Sequence, residues 1–196
     1  YANSYAGGNG TQESPYIISN DIQLAKLALD VSKGQNTDKY YRITADIDLS
    51  KAIWTPIGSY VYDTNKTFKG FLDGFGHTIK NMRFDWYNTV NDRCCYGLFT
   101  SIDGTSEKWS DVRNLIIDNA NIKCDNASKL TNTRCVGTLV GVIHHYSNVQ
   151  NIIVRNSQIT GPSSSFEQNS KYLVVGGLSA WLGENDNNYN LNNIEA

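Results

Sequence analysis

Asp46 and Asp48 stand at i and i+2 in an alternating stretch from Tyr40 to Leu49. On a strand both carboxylates would share one face, with their Cα atoms roughly 7 Å apart. Such a pair could hold Ca2+ with further oxygens, or act as acid and base in glycoside cleavage. As residues facing away from Ile47 and Leu49 they suit a solvated polar face equally. Asp73, followed by Gly74, is either a turn former or a third member of that acidic site. His144 and His145 are adjacent, and neighbouring strand positions point to opposite faces, so one metal ion is out of their joint reach unless a loop carries them. His77 is isolated, and no Ser or Cys stands in a nucleophile motif. These residues define no catalytic centre.

Aromatic residues offer another kind of chemistry. Tyr60, Tyr62, Phe68, Trp86, Tyr87 and Trp109 fall in or beside variable stretches, not at alternating strand positions. Rings on loops either mark a recognition surface, where flat faces stack on sugars, or fold back over the edges of the core. The four cysteines are Cys94, Cys95, Cys124 and Cys135, and none forms a CxxC pair. Aligning Leu98 with Leu139 brings Cys94 opposite Cys135. Neighbouring parallel strands lie ~4.8 Å apart, within the Cα range of roughly 4.4–6.8 Å that a disulfide tolerates. The alternatives are a Cys94–Cys135 disulfide, the same bond from Cys95, or buried thiols acting as small hydrophobes.

The elements that must position these groups repeat. Ile79-Lys80-Asn81-Met82, Val112-Arg113-Asn114-Leu115, Val149-Gln150-Asn151-Ile152 and Leu191-Asn192-Asn193-Ile194 share one phrase, with the Asn residues 33, 37 and 42 positions apart. A unit recurring at that period buries its apolar face by stacking on the next. Asn81, Asn114, Asn151 and Asn193 are therefore expected to form a buried ladder of side-chain amides at a corner. The other role open to them is lining a groove. Asn occurs 23 times beside 16 Gly and only three Pro, a composition that suits short strands joined by turns. One helix is expected after Ser19 or Asn20, with Gln23 at capping-box spacing, Ile22, Leu24, Leu27, Ala28 and Val31 on its apolar side, and Gly34 stopping it. Its expected use is to cover the open end of the first coil.

Lys and Arg total 17 against 19 Asp and Glu, a net charge of −2. Without a basic block, nucleic acid is excluded as a partner class. No apolar run reaches the length of a membrane span. The end of the sequence just after a fourth phrase leads to the expectation of truncation at the C-terminus, because a stacked array needs a polar cap.

Several segments in order resemble a known family. They are Ala6-Gly7-Gly8-Asn9-Gly10-Thr11 with Pro15-Tyr16-Ile17-Ile18, the expected helix containing Leu24 and Leu27, Thr44-Ala45-Asp46-Ile47-Asp48-Leu49, Trp54-Thr55-Pro56-Ile57-Gly58, and Phe71-Leu72-Asp73-Gly74-Phe75-Gly76-His77-Thr78-Ile79-Lys80-Asn81. Together they are similar to GLUG-motif surface proteins of Bacteroidetes and some Gram-positive bacteria. The GLUG units would be Gly97-Leu98-Phe99-Thr100, Thr138-Leu139-Val140-Gly141 and Gly177-Leu178-Ser179-Ala180, each departing from the family pattern at one position or more. The resemblance implies a right-handed parallel β-helix on exported, adhesin-like surface proteins or lipoproteins, without implying one activity.

The expected fold is thus all-β, a right-handed parallel β-helix (solenoid) with an N-terminal helical cap. It forms a single domain over 1–196, with a cap region at 1–34 and coils at 35–196. The expected function is a non-catalytic module for adhesion or carbohydrate binding, at the extracellular or outer-membrane surface of a bacterium. Its partners would be a glycan or a cell-surface protein, with other outer-membrane proteins also open. Ligand candidates are Tyr60, Tyr62, Trp86, Tyr87 and Trp109. No cofactor is expected, except that Asp46 and Asp48 could take Ca2+. The alternatives are a polysaccharide-active enzyme with an acidic site, and a structural subunit of an outer-membrane complex.

Overall fold

The computed structural model describes residues 4–58, 63–85, 95–123, 134–160, 173–182 and 189–196. Strand β1 (Tyr16–Ile18) leads into helix α1 (Asp21–Ser32), and β2 (Tyr40–Ile43), β3 (Ile47–Asp48), β4 (Phe71–Asp73) and β5 (Thr78–Lys80) follow. Next come β6 (Arg83–Asp85), β7 (Cys95–Tyr96), β8 (Phe99–Ile102), β9 (Ser110–Asp118) and β10 (Asn121–Lys123). The chain continues through β11 (Arg134–Gly137), β12 (Val140–Ile143), β13 (Ser147–Arg155), β14 (Gln158–Thr160), β15 (Leu173–Gly176), β16 (Ser179–Leu182) and β17 (Tyr189–Glu195).

Among the described residues every pairing is parallel, in four separate sheets. The largest has eight strands in the order β1-β2-β4-β9-β13-β17, with β3 and β5 joining through β9. The other three each hold three strands: β6-β10-β14, β7-β11-β15 and β8-β12-β16. This topology corrects the expected right-handed β-helix with an N-terminal helical cap. The three small sheets are built only from residues 83–182, so 35–196 is not one uniform coil but several short parallel sheets of unequal extent. The helix, for its part, is a connection between β1 and β2, two strands that pair directly with each other. It forms where expected: Asn20 caps the Gln23 N–H at 3.0 Å, and Gln23 accepts from the Ser19 N–H at 2.8 Å. Leu24, Leu27, Ala28 and Val31 are buried, but Ile22 is left half exposed.

The Asn phrase explains how the long strands hold their shape. Asn81, Asn114, Asn151 and Asn193 all have φ between 52° and 60°. This left-handed region is one that Asn tolerates better than other residues with a Cβ. The bend there resets the alternation of the strand, so Val112 and Leu115, three positions apart, both point into the core, as do Val149 and Ile152. Side chains then stack in a row. Asn193 donates to Asn151 at 2.9 Å, Asn151 to Asn114 at 2.9 Å, and Asn114 to Asp73 at 3.0 Å. The row ends on a carboxylate for a simple reason: each amide donates toward the N-terminal side, so the first rung needs only acceptors.

Two parts of the ladder expectation need correction. The row lies at the surface: Asn114 is half-buried, and Asn151 and Asn193 are exposed. Asn81 belongs to a different row, donating to Asp48 at 2.9 Å and accepting from Asn119 at 2.8 Å. The cause is the segment 74–77, which places four residues between β4 and β5 where β9 has only Asn114 and Leu115. That insertion makes Asp73 the rung below Asn114. Replacing Asn151 by Ala should cost about 2 kcal/mol, combining lost amide bonds with left-handed strain. Asn151→Gly should cost about 1 kcal/mol, because only the bonds are lost. Equal urea midpoints for the two variants would remove the backbone part of this account.

The cysteine register also differs from expectation. Cys135 pairs with Cys95, not with Cys94, which lies outside the described residues. Phe99 opposes Val140 with an offset of 41, but Cys95 opposes Cys135 with an offset of 40. One extra residue, in Gly137-Thr138-Leu139 against Gly97-Leu98, therefore separates the two registers. Cys95 and Cys135 are buried thiols, not a disulfide.

Candidate functional site

The acidic candidates are acceptors at the feet of these rows. Asp46 Oδ1 takes the Thr78 N–H at 2.9 Å and lies 3.3 Å from His77 Nδ1. Asp48 Oδ1 takes the Asn81 amide at 2.9 Å and the Ser50 N–H at 2.9 Å. Asp73 Oδ1 accepts from the Phe75 N–H at 2.9 Å as well as from Asn114. The Thr78 N–H, with help from His77, holds Asp46 below the usual carboxylate range. The Asn81 amide, then Ser50, holds Asp48 down at about 2. A general acid needs the opposite shift. Asp46 and Asp48 are exposed, and no third ligand joins them: among the described residues no group of three or more His, Cys, Asp or Glu could hold a metal ion.

Of the ring candidates, Tyr60, Tyr62, Trp86 and Tyr87 lie outside the described residues. Phe68 is not a loop ring but a fully buried core residue. Trp109 is 36% exposed and meets Tyr146 edge-on, with ring centroids 5.9 Å apart. Tyr146 belongs to the turn between β12 and β13, and so do His144 and His145, which are therefore not strand residues on opposite faces. Two backbone bonds tie that turn to the end of β8: His144 N–H to Ile102 O at 2.8 Å, and Gly104 N–H to His145 O at 3.0 Å. Asp103 sits at this junction. Burial pushes its carboxyl up, against the opposing charges of His144, Lys69 and His145. The sequence reading missed this cluster of Asp103, His144, His145, Tyr146 and Trp109, because its members are some forty residues apart and meet only through register.

The outward side of the large sheet carries more rings. Tyr40 and Phe71 are register partners with centroids 5.5 Å apart. Lys108 Nζ sits 4.9 Å from the Tyr40 centroid, and the Arg113 guanidinium 4.3 Å from that of Phe71. Arg113 is held in place by Asp111 through bonds of 3.0 and 2.9 Å. Phe75, beside Arg42 at 5.2 Å, is 62% exposed and has a φ of 53°. Among the described non-glycine residues with positive φ, seven are Asn, and the other two are Phe75 and Tyr146. A bulky residue in that region is a genuine outlier, and Phe75 is not retained there by burial.

A separate apolar groove of about 340 Å³ runs between α1 and residues 49–55. Ile22, Ala25, Leu29, Leu49, Ile53 and Trp54 line it, and an Asp21–Lys51 ion pair at 3.7 Å lies at its rim. Neither Phe68 nor Trp109 borders it. No described helix is long and apolar enough to cross a membrane.

No family model matches the chain. It is 33% identical over 174 residues to halomucin of Haloquadratum walsbyi, covering 83% of this chain and 2% of halomucin. It is 28% identical over 156 residues to a protein of Evansella cellulosilytica named as a Gly-rich membrane protein, covering 76% of this chain and 15% of that one. The chain thus spans a small part of the length of either relative. Among solved structures, a Bacteroides ovatus protein named as an immunoglobulin A1 protease aligns with a TM-score of 0.51 and 17% identity, over 95% of this chain and 66% of that one. At that identity the likeness shows the fold alone, and it takes the place of the helix-capped β-helix corrected above.

Proposed function

We propose that the chain is a non-catalytic recognition module of a surface or membrane-associated protein, and that it binds glycan through the rings and polar groups of its outward side. The observation that carries this reading is the left-handed, solvent-exposed Phe75. Strained backbone of this kind costs about 1–3 kcal/mol, and a 62% exposed ring gains little of it back by burial. The Trp109–Tyr146 edge with Asp103 and the two histidines supplies the second requirement, rings next to hydrogen-bonding groups that can meet sugar hydroxyls. The names of halomucin and of the Gly-rich membrane protein support a surface setting. So does the resemblance to GLUG-motif surface proteins, which favours the outside of a bacterial cell.

Phe75→Asn and Trp109→Ala test this reading on a glycan array. Phe75→Asn should raise fold stability by about 1 kcal/mol, because Asn tolerates the left-handed backbone, and should weaken glycan binding at least tenfold. Trp109→Ala should weaken binding without a comparable change in stability. Unchanged binding in both variants, or a wild-type chain that retains no glycan, would refute the proposal.

A further inference from the structure

We propose that Cys95 and Cys135 are a modification site: a disulfide that closes between β7 and β11 when the folded chain meets a thiol-oxidising environment. The two residues are register partners on adjacent parallel strands, so their side chains leave the sheet on the same side. Strand spacing of ~4.8 Å falls within the Cα range of roughly 4.4–6.8 Å for a disulfide. Both thiols are buried in a small cluster with Val142, apart from the main core, and Val174 and Ala180 pack against it. Space there is kept by Gly141, whose added Cβ would stand 2.5 Å from Cys95 Cβ. The hydrogen bond from Cys95 also holds the Cys135 thiol below its usual value, against the effect of burial. A lowered thiol is the better attacking group at neutral pH.

With a small-molecule disulfide such as oxidised glutathione, the chemistry balances in two exchanges. The Cys135 thiolate attacks one glutathione sulfur, the glutathione S–S bond breaks, and one glutathione thiolate leaves with the proton given up by Cys135. Cys95 then loses its proton and attacks Cys135 Sγ in the mixed disulfide, expelling the second glutathione as its thiol. Two electrons pass from the protein to glutathione, and no other reactant is needed. The bond closes a loop of some forty residues, and the pair stands whether or not the outward side binds glycan.

The test is native oxidation of the whole chain with oxidised glutathione, followed by alkylation and peptide mapping. The expected result is a Cys95–Cys135 linked peptide, with Cys94 and Cys124 alkylated and a melting temperature higher by roughly 10 °C. Cys95→Ser should abolish the link and the shift, and Cys94→Ser should leave both. The wild-type map decides the matter even if a variant fails to fold. A link from Cys94 or Cys124 to Cys135, a product stalled at the glutathione adduct, or four alkylatable thiols after oxidation would each overturn the proposal.

Discussion

Replacing Phe68 by alanine is expected to lower the unfolding free energy by about 3–5 kcal/mol. Phe68 is fully buried in the middle of a column of rings that begins near the N-terminus. Tyr5 stacks on Tyr16 at 4.4 Å, Tyr16 meets Tyr41 at 5.7 Å, Tyr41 meets Phe68 at 6.0 Å, and Phe68 meets Phe99 at 5.0 Å. Truncation would remove both flanking ring contacts and leave a cavity that short strands, pinned by parallel ladders on each side, cannot close. The neighbouring backbone is committed as well: the Phe68 carbonyl accepts from Asp103 N–H at 3.0 Å, and Phe68 bridges to Ile102. Phe68→Leu, which keeps most of the volume, should cost less than about 2 kcal/mol. Urea unfolding at constant m-value measures both. A loss under about 1 kcal/mol for the alanine variant would mean that the column is not a continuous part of the core.

Phe68 also shows where the sequence could be read and where it could not. The Asn phrases announced a stacked arrangement correctly, since a repeated polar residue between apolar neighbours needs a repeated partner. Asn193 rests on Asn151 and Asn151 on Asn114 as the phrases imply. The rung below Asn114 was hidden, because it depends on the two extra residues in segment 74–77, and an insertion shifts register without altering the phrase. The same physics moved the cysteine pairing by one position: a single extra residue in Gly137-Thr138-Leu139 against Gly97-Leu98 replaced Cys94 by Cys95. Phe68 follows a polar stretch and reads as a loop ring, yet one backbone bridge turns it inward. Phe75 was hidden for the opposite reason. It sits in Asp73-Gly74-Phe75-Gly76, where the glycines suggest the turn but nothing local says that the aromatic residue itself takes the left-handed position. Parallel stacking was therefore legible from periodicity. The division into one large and three small sheets was not, because it is set by how far each strand extends before its turn. The cluster of Asp103, His144, His145 and Trp109 depends on that same register.

At high pH the chain should lose stability steeply, beginning near pH 10 where an unfolded tyrosine ionises. Tyr41 is fully buried, and its hydroxyl donates to the Asn36 carbonyl at 2.6 Å. Burial pushes its pKa far above the ordinary value; the hydrogen bond with Tyr5 opposes this, and the charge of Asp30 adds to it. Tyr5 is raised in the same direction, first by burial, then by Tyr41 and by donation to Asp30 Oδ2 at 2.8 Å. A folded-state pKa above the unfolded one contributes stability that is complete below the unfolded value and is lost as pH rises past it. The unfolded chain releases a proton that the folded chain keeps, so Tyr41 alone should contribute a fall of about 1.4 kcal/mol per pH unit above pH 10. Tyr41→Phe should begin lower by about 1 kcal/mol, because the Asn36 carbonyl loses its donor. Its slope above pH 10 should be shallower, with the remainder belonging to Tyr5. Urea midpoints at several pH values between about 8 and 11 make the comparison. A flat wild-type profile, or an equal slope in the Tyr41→Phe variant, would mean that this hydroxyl ionises as freely in the folded chain as in the unfolded one.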